Sequence, residues 1–246
     1  MSQASDSVKT ALITGAARRI GRALALDLAE AGWSVAIHYR NSSAEAESLA
    51  REIAGKGGRA ETFRADLSDR NALTHLVAAT GHELGPLTTL INNASEFLPD
   101  TLQSLDEATW DVHLGINLKA PVFLAQAMAS QLPEGAEGNI INIIDQRVWN
   151  LTPEFFSYTI SKAGLWTATR TLAQALAPRI RVNAIAPGPV MRSIHQTQDD
   201  FEREKQTTLL GRGPSVEEIA SAVRFILATP SLTGQMIALD GGQHLT

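Results

Sequence analysis

Residues 9–21 read KTALITGAARRIG. The stretch from Lys9 to Thr14 is a short apolar run with strand character. It turns at Gly15 into a segment whose apolar residues Leu24, Leu28 and Ala31 recur on one helical face. Gly15 allows a tight turn, and Gly21 lets the new helix approach the strand closely. The unpaired N–H groups and the dipole at such a helix start form a site for a pyrophosphate. The usual middle glycine is absent: Arg19 stands in its place, and Arg18 and Arg19 put cations where phosphates would lie. A plain strand-to-helix turn has the same glycines, so the rest of the chain must decide.

Outward from this turn the alternation continues to the end. Strand-like runs at 35–39, 60–65, 87–91, 139–144, 181–186 and 235–239 are separated by helical patterns at 20–31, 43–56, 69–83, 105–130 (one long helix or two), 156–177 and 215–228. Ser215 followed by Glu217 and Glu218 marks the last helix start, because the helix dipole favours acids there. Several strands are nearly continuous apolar runs, as in parallel strands covered on both faces. The expectation is one doubly wound α/β domain over 1–246, with a polar N-terminal tail at 1–8. Residues 187–214 follow a strand C-terminus, where open α/β sheets place their ligands. They read as an irregular substrate lid or as a surface loop, with 191–212 polar and without regular structure.

Composition bounds the function. Of 246 residues, 44% are hydrophobic and 19% charged, which supports a substantial core. A net charge of −5 argues against nucleic acid as a partner. No apolar run is long enough to span a membrane, and MSQASDSVKT lacks the apolar centre of a secretion signal, so a cytoplasmic protein is expected. The absence of cysteine excludes disulfides, thiol catalysis and cysteine metal sites; no metal is expected.

Chemistry concentrates in residues 145–162, DQRVWNLTPEFFSYTISK. Tyr158 and Lys162 lie one helical turn apart on one face. An ammonium beside a phenol favours the phenolate, so Tyr158 reads as a proton donor of lowered pKa. A tyrosine packed on a solvated lysine is the alternative. Asp145 closes the strand NIINII and is odd there unless it faces a site. At the end of the second strand, His38-Tyr39-Arg40-Asn41-Ser42 offers a cation and hydroxyls where an NAD site carries an acid, which favours the 2′-phosphate of NADP or marks an ordinary polar loop. Asp66 in ADLSD is a hydrogen-bond partner for adenine or a helix cap, a role equally open to Asp69. The small residues of Asn92-Asn93-Ala94-Ser95 allow close backbone approach to a cofactor. Asn117, inside the apolar stretch GINLKAP, needs a partner if buried, and reads as a structural amide or part of a water or lysine relay.

TGxxxxxG, NNAS, a mid-helix Asn, YxxxK and PG, in this order and covering almost the whole chain, resemble the short-chain dehydrogenase/reductase family. The resemblance implies a single Rossmann-type domain with a seven-stranded parallel sheet, usually a homotetramer, with Tyr158 as acid, Lys162 as supporting cation and ribose contact, and Asn117 in a proton relay. It also implies cofactor contacts from Gly15, Arg18, Arg19, Ile20, Gly21, the 38–42 segment, Asp66, Leu67, Asn93, Ala94, Ser95, Pro187 and Gly188. Arg19 in place of Gly and Asp145 in place of Ser, with HYRNSSAEAESL and NNASEF, resemble the pteridine reductase branch. There Arg19 would contact phosphate and pterin, Ser95 pterin and cofactor, and Asp145 Tyr158 and the pterin edge. Phe97 would stack on the pterin; core or lid packing is its alternative. The expected activity is NADPH-dependent reduction of a pterin or folate C=N bond. The alternatives are a carbonyl reductase of sugar, acyl or steroid type, and a catalytically silent NADP-binding sensor.

Overall fold

Strand β1 (Thr10–Ile13) is buried on both sides: Ala11 and Ile13 join one apolar cluster, and Leu12 joins another. That alternation requires a sheet covered on both faces. The computed structural model describes residues 9–193 and 196–246, so the expected tail at 1–8 lies outside the described residues. The other strands are β2 (Ser34–Tyr39), β3 (Arg59–Arg64), β4 (Leu87–Asn92), β5 (Gly138–Ile143), β6 (Ile180–Pro187) and β7 (Met236–Leu239). They form one seven-stranded sheet in the order β3-β2-β1-β4-β5-β6-β7, parallel throughout.

Helices α1 (Arg19–Glu30), α2 (Ser43–Gly55) and α8 (Val216–Ala228) cover one face through Leu24, Leu28, Leu49, Ile53, Ile219 and Val223. Helices α3 (Arg70–Leu84), α5 (Ala120–Gln131) and α6 (Phe156–Leu176) cover the other through Leu73, Leu76, Leu124, Met128 and Ala173. Winding runs outward from β1 to β3, then crosses to β4 on the far side of β1. The loops after β1 and β4 therefore part, and a crevice opens at the C-terminal strand ends between them.

Two departures from the sequence reading have physical causes. The pattern at 105–130 is two helices, α4 (Glu107–Leu114) and α5, joined without a break by a π-helical segment, Gly115–Lys119. Pro121 at the start of α5 has no N–H, so the Asn117 carbonyl loses its α-helical donor and the wider winding takes over. Residues 191–212 are not all irregular: they contain α7 (Gln198–Gln206). Its apolar face is little more than Phe201, so periodicity hides it. What specifies it is a capping box, with the Asp200 N–H donating to Thr197 Oγ1 at 3.1 Å and the Thr197 N–H donating to Asp200 Oδ2 at 3.1 Å.

Glycine spacing can be tested directly. A Cβ on Gly21 would meet the Gly15 carbonyl and stand 2.7 Å from Asn93 Nδ2, whereas one on Gly81 would meet nothing. Gly21→Ala is expected to cost about 1–3 kcal/mol through overpacking. Gly81→Ala, within α3, is expected to gain about 0.5–1 kcal/mol. Urea unfolding of both variants checks the contrast.

Candidate active site

The crevice is a cavity of about 610 Å³. Every residue expected at the site lines it except Asp66 and Asn117. At one end lies the turn after β1. Gly15 has φ +63°, and Arg19 also takes a left-handed conformation at φ 55°. The chain thus keeps the backbone geometry a glycine suits, at a cost of about 1–2 kcal/mol for a residue with a Cβ. Arg18, the N-cap of α1, makes no side-chain capping bond, so the N–H groups of the first turn stay open to an anion. These open amides, the close approach enforced at Gly15 and Gly21, and the arginines beside them fit the pyrophosphate of a dinucleotide.

Arg19 is less free than expected. Its guanidinium donates to the carbonyls of Arg192 at 2.8 Å and Met191 at 2.9 Å, tying the loop after β6 to the turn. His38 is buried beneath the turn and structural in its bonding. Gly15 N–H donates to Nδ1 at 3.0 Å, and Nε2 donates to the Ala65 carbonyl at 3.2 Å. Burial pulls its pKa down to about 4, so the ring stays neutral and keeps Nδ1 as an acceptor.

Arg40 is likewise engaged: its guanidinium pairs with Glu96 at 2.9 Å, across the crevice from the segment after β4. Ser42, at the N-cap of α2, makes no side-chain capping bond. Asp66 turns back on itself, accepting from the Ser68 N–H at 2.9 Å, while Asp69 caps α3. Asp66 lines a neighbouring recess with Arg40, Asn41 and Arg64. Arg64 was not singled out from sequence, although its register opposite Tyr39 places a second cation there.

At the other end stands the acid–base group. Tyr158 Oη donates to Asp145 Oδ2 at 2.8 Å, and the Asp145 Oδ1 accepts from the Arg147 N–H at 2.9 Å. Lys162 is buried and donates to the Ile143 carbonyl at 2.9 Å, with Nζ 5.7 Å from the Tyr158 ring centre. Burial pulls Lys162 down to about 8, opposed by the charge of Asp145. The expected lowering of Tyr158 is overturned. Its pKa is raised well above the ordinary phenol value, first by burial and then by the charge and hydrogen bond of Asp145. Proximity in sequence places the ammonium nearby, but Asp145 is nearer to the hydroxyl, and a carboxylate disfavours a phenolate. Asp145 is itself raised, by burial, against the Arg147 N–H, Tyr158 and the charges of Arg147 and Lys162.

The Asn117 side chain lies behind this group. Its Oδ1 accepts from the Glu96 N–H at 2.9 Å and the Ser95 hydroxyl at 3.2 Å, and its Nδ2 donates to the Glu96 carbonyl at 2.9 Å and Ser161 Oγ at 3.1 Å. The amide is saturated by the 95–96 segment and α6, so it has no spare donor for a relay. Phe97 stacks on Phe155, with ring centres 4.2 Å apart and planes 8° apart, and meets Tyr158 edge-on at 4.7 Å. Phe155, Gln146, Arg147, Glu96 and Gln243 line the cavity without having been singled out. The sequence signal for Arg147 was its place two positions beyond Asp145.

The raised Asp145 carboxyl sets a stability test. Folding favours its protonated form, so its contribution is fully present below the unfolded pKa and is lost as pH rises through the folded pKa. Asp145→Asn keeps an acceptor for Tyr158 without a buried charge. The variant is expected to melt above wild type at neutral pH, and the gap should close as the pH falls toward about 4. A variant that melts lower at neutral pH would mean that the carboxylate's hydrogen bonds outweigh its burial.

Comparisons agree with this geometry. The family model described as Enoyl-(Acyl carrier protein) reductase matches residues 15–244. The 3-oxoacyl-(acyl-carrier-protein) reductase FabG of Staphylococcus aureus is 33% identical over 242 residues, covering 96% of this chain and 98% of the relative. The crystal structure of FolM, alternative dihydrofolate reductase 1 from Brucella canis, complexed with NADP, superposes with a TM-score of 0.94 at 52% identity, covering 97% of this chain and 94% of that one. A short-chain dehydrogenase/reductase from Serratia marcescens superposes with a TM-score of 0.90 at 30% identity, covering 96% and 98%. With a family model matched over residues 15–244 and these relatives covered almost end to end, the chain belongs to the short-chain dehydrogenase/reductase family.

Proposed function

We propose that this protein is an NADPH-dependent reductase of the C=N bond of a dihydropterin or dihydrofolate. The observation that carries the proposal is the Asp145 carboxylate, hydrogen-bonded to the Tyr158 hydroxyl at 2.8 Å and lining the cavity. A carboxylate accepts hydrogen bonds and cannot donate one to a carbonyl oxygen. It suits a substrate edge that presents N–H groups, as the amino-pyrimidine ring of a pterin does. The NADP-complexed FolM of Brucella canis, at 52% identity, supports the same reading.

The residues divide the work. NADPH bound in the crevice supplies hydride to the substrate carbon and leaves as NADP⁺. The α1 N-terminus with Arg18 holds the pyrophosphate, and Arg40, with Arg64 nearby, receives the 2′-phosphate. Lys162, positioned by the Ile143 carbonyl, holds the nicotinamide ribose. Asp145 accepts from the substrate's N–H edge and orients it beside Tyr158. The Tyr158–Asp145 pair keeps its proton at neutral pH. It releases that proton to a strong acceptor, which the substrate nitrogen becomes as negative charge develops on it. The C=N bond thereby becomes CH–NH, with the proton delivered at nitrogen. Phe97 lies beside this group as part of an aromatic wall, stacked on Phe155 and in edge contact with Tyr158.

The decisive experiment follows NADPH consumption by purified protein with dihydrobiopterin, dihydrofolate, a 3-oxoacyl thioester and simple ketones. The pterins are expected to have the highest kcat/KM. Tyr158→Phe should lower kcat with pterins by roughly a hundredfold or more while NADPH binding persists. Asp145→Ser should lower pterin turnover and improve ketone reduction. Preference of wild type for the thioester or ketones, unchanged in Asp145→Ser, would replace this reading with the carbonyl-reductase one, which the Staphylococcus aureus relative represents.

Cofactor choice gives an independent prediction. Arg40 must exchange its Glu96 partner for the 2′-phosphate, so Glu96→Gln should tighten NADPH more than NADH. Arg40→Asp should narrow or reverse the preference for NADPH. Fluorescence titration of both cofactors across the two variants checks the exchange. Equal affinities of wild type for NADPH and NADH would sink it.

A further inference from the structure

One cation at the substrate end of the cavity has no part in the chemistry so far. Arg147 sits on the short turn Gln146–Val148 that follows β5, held there by its own N–H on Asp145. Its guanidinium lies over the Phe155 ring, 5.0 Å from the ring centre. Nη1 donates to Thr152 Oγ1 at 3.1 Å, and Nε and Nη2 have no hydrogen-bond partner among the described residues. No ion pair among the described residues includes Arg147. By contrast, Arg40 is paired with Glu96, and Arg19 is spent on two backbone carbonyls.

What lies beneath Arg147 makes its position specific. Phe155 adopts a left-handed conformation, φ 53°, at the N-cap of α6, a strained state for a residue with a Cβ. That conformation lays its ring parallel to Phe97, which in turn abuts Tyr158. From the acid outward, the cavity is thus lined by Tyr158, two stacked phenyl rings and a guanidinium whose Nε and Nη2 are unused. A planar guanidinium with free N–H groups is matched to a carboxylate. An aromatic wall between the acid and that cation is matched to a flat spacer.

We infer that Arg147 anchors a carboxylate carried at the far end of the substrate, so that the outer cavity is a subsite for the aromatic, carboxylate-ended tail of a folate rather than for the short hydroxylated side chain of a biopterin. The inference rests on the pterin reading above and adds the choice between its two substrate types. Arg147 also bears on Asp145 and Tyr158 through its charge, favouring the ionised form of each. That influence acts on every substrate alike, so only a ratio between substrates reads the tail.

The test compares dihydrofolate with dihydrobiopterin in the full chain with saturating NADPH. Arg147→Gln is expected to raise the KM for dihydrofolate roughly tenfold more than that for dihydrobiopterin, the effect of losing a partly exposed charge-assisted contact. Arg147→Lys keeps the charge without the fork and should recover part of the difference. In wild type, added salt should raise the KM for dihydrofolate more than that for dihydrobiopterin, and Arg147→Gln should abolish this salt effect. Equal changes for both substrates would assign Arg147 to the tuning of Asp145 alone and overturn the inference, as would no change for either. A wild-type enzyme that reduces neither pterin removes the underlying reading and the inference with it. That outcome is visible before any variant is made.

Discussion

The hinge of the structure is the place where β1 and β4 part. A parallel ladder pairs backbone groups as long as the strands run together, and at the switch point it can no longer do so. Here Thr14 and Asn93 take over. Thr14 Oγ1 accepts from the N–H groups of Asn93 at 2.9 Å and Ala94 at 3.0 Å, and Asn93 Nδ2 donates to the Thr14 carbonyl at 2.8 Å. These bonds fix the two loops that carry the site: the glycine turn on one side, the Ser95–Phe97 segment on the other. Asn117 clamps the far end of that segment through Glu96, and the π-helical winding that presents it follows from Pro121. Two asparagines and a threonine thus set the width of the crevice before any ligand enters it.

Within that frame the acid–base group is expensive to hold. Tyr158 and Lys162 are packed out of water with Asp145 half-buried beside them, and burial is the first cause of every shift among them: Tyr158 and Asp145 upward, Lys162 downward. Each shift says that the neutral form is favoured by folding, so ionisation at this site is opposed by the fold itself. Asp145 and Lys162 moderate one another, since Asp145 supports the ammonium and Lys162 supports the carboxylate, whereas Asp145 adds to the rise of Tyr158. A site of this kind is tolerable because the remainder of the sheet is covered on both faces, where the large apolar side chains of β1 and β2 are fully buried.

Much of this was legible in the sequence, for identifiable reasons. Nearly continuous apolar runs alternating with helical patterns read as parallel strands buried on both faces, as β1 is, and the turn at Gly15 declares where the helix begins. Strand C-terminal ends mark where the cavity lies, so the residues named from sequence line it apart from Asp66 and Asn117, while Glu96, Gln146, Arg147 and Phe155 went unnamed. Three things were not legible. α7 has no apolar stripe, and only its Thr197–Asp200 capping box gives it away. The direction of the Tyr158 shift depends on which charge lies nearer in space, which spacing along one helix cannot tell. Phe155 sits beside Phe156 in sequence, and nothing short of its left-handed backbone shows that its ring turns back onto Phe97.

The relatives carry two names, one for reduction of an acyl ketone and one for reduction of a folate. A shared fold cannot choose between them, because both reactions take a hydride at carbon and a proton at the neighbouring heteroatom. What separates them is the polarity of a single hydrogen bond. A ketone oxygen gathers negative charge as it is reduced and needs donors around it. A carboxylate beside that oxygen repels the growing charge, and burial deepens the repulsion because little water is present to screen it. A pterin ring carries N–H donors along its edge, and a carboxylate attracts those. Asp145, accepting from Tyr158 on one oxygen and from the Arg147 N–H on the other, is an acceptor on both oxygens here. On the proposed reading the Asp145 carboxylate meets the substrate's N–H edge while the atom that gathers charge lies beside Tyr158, and the fold around the site is indifferent to the choice.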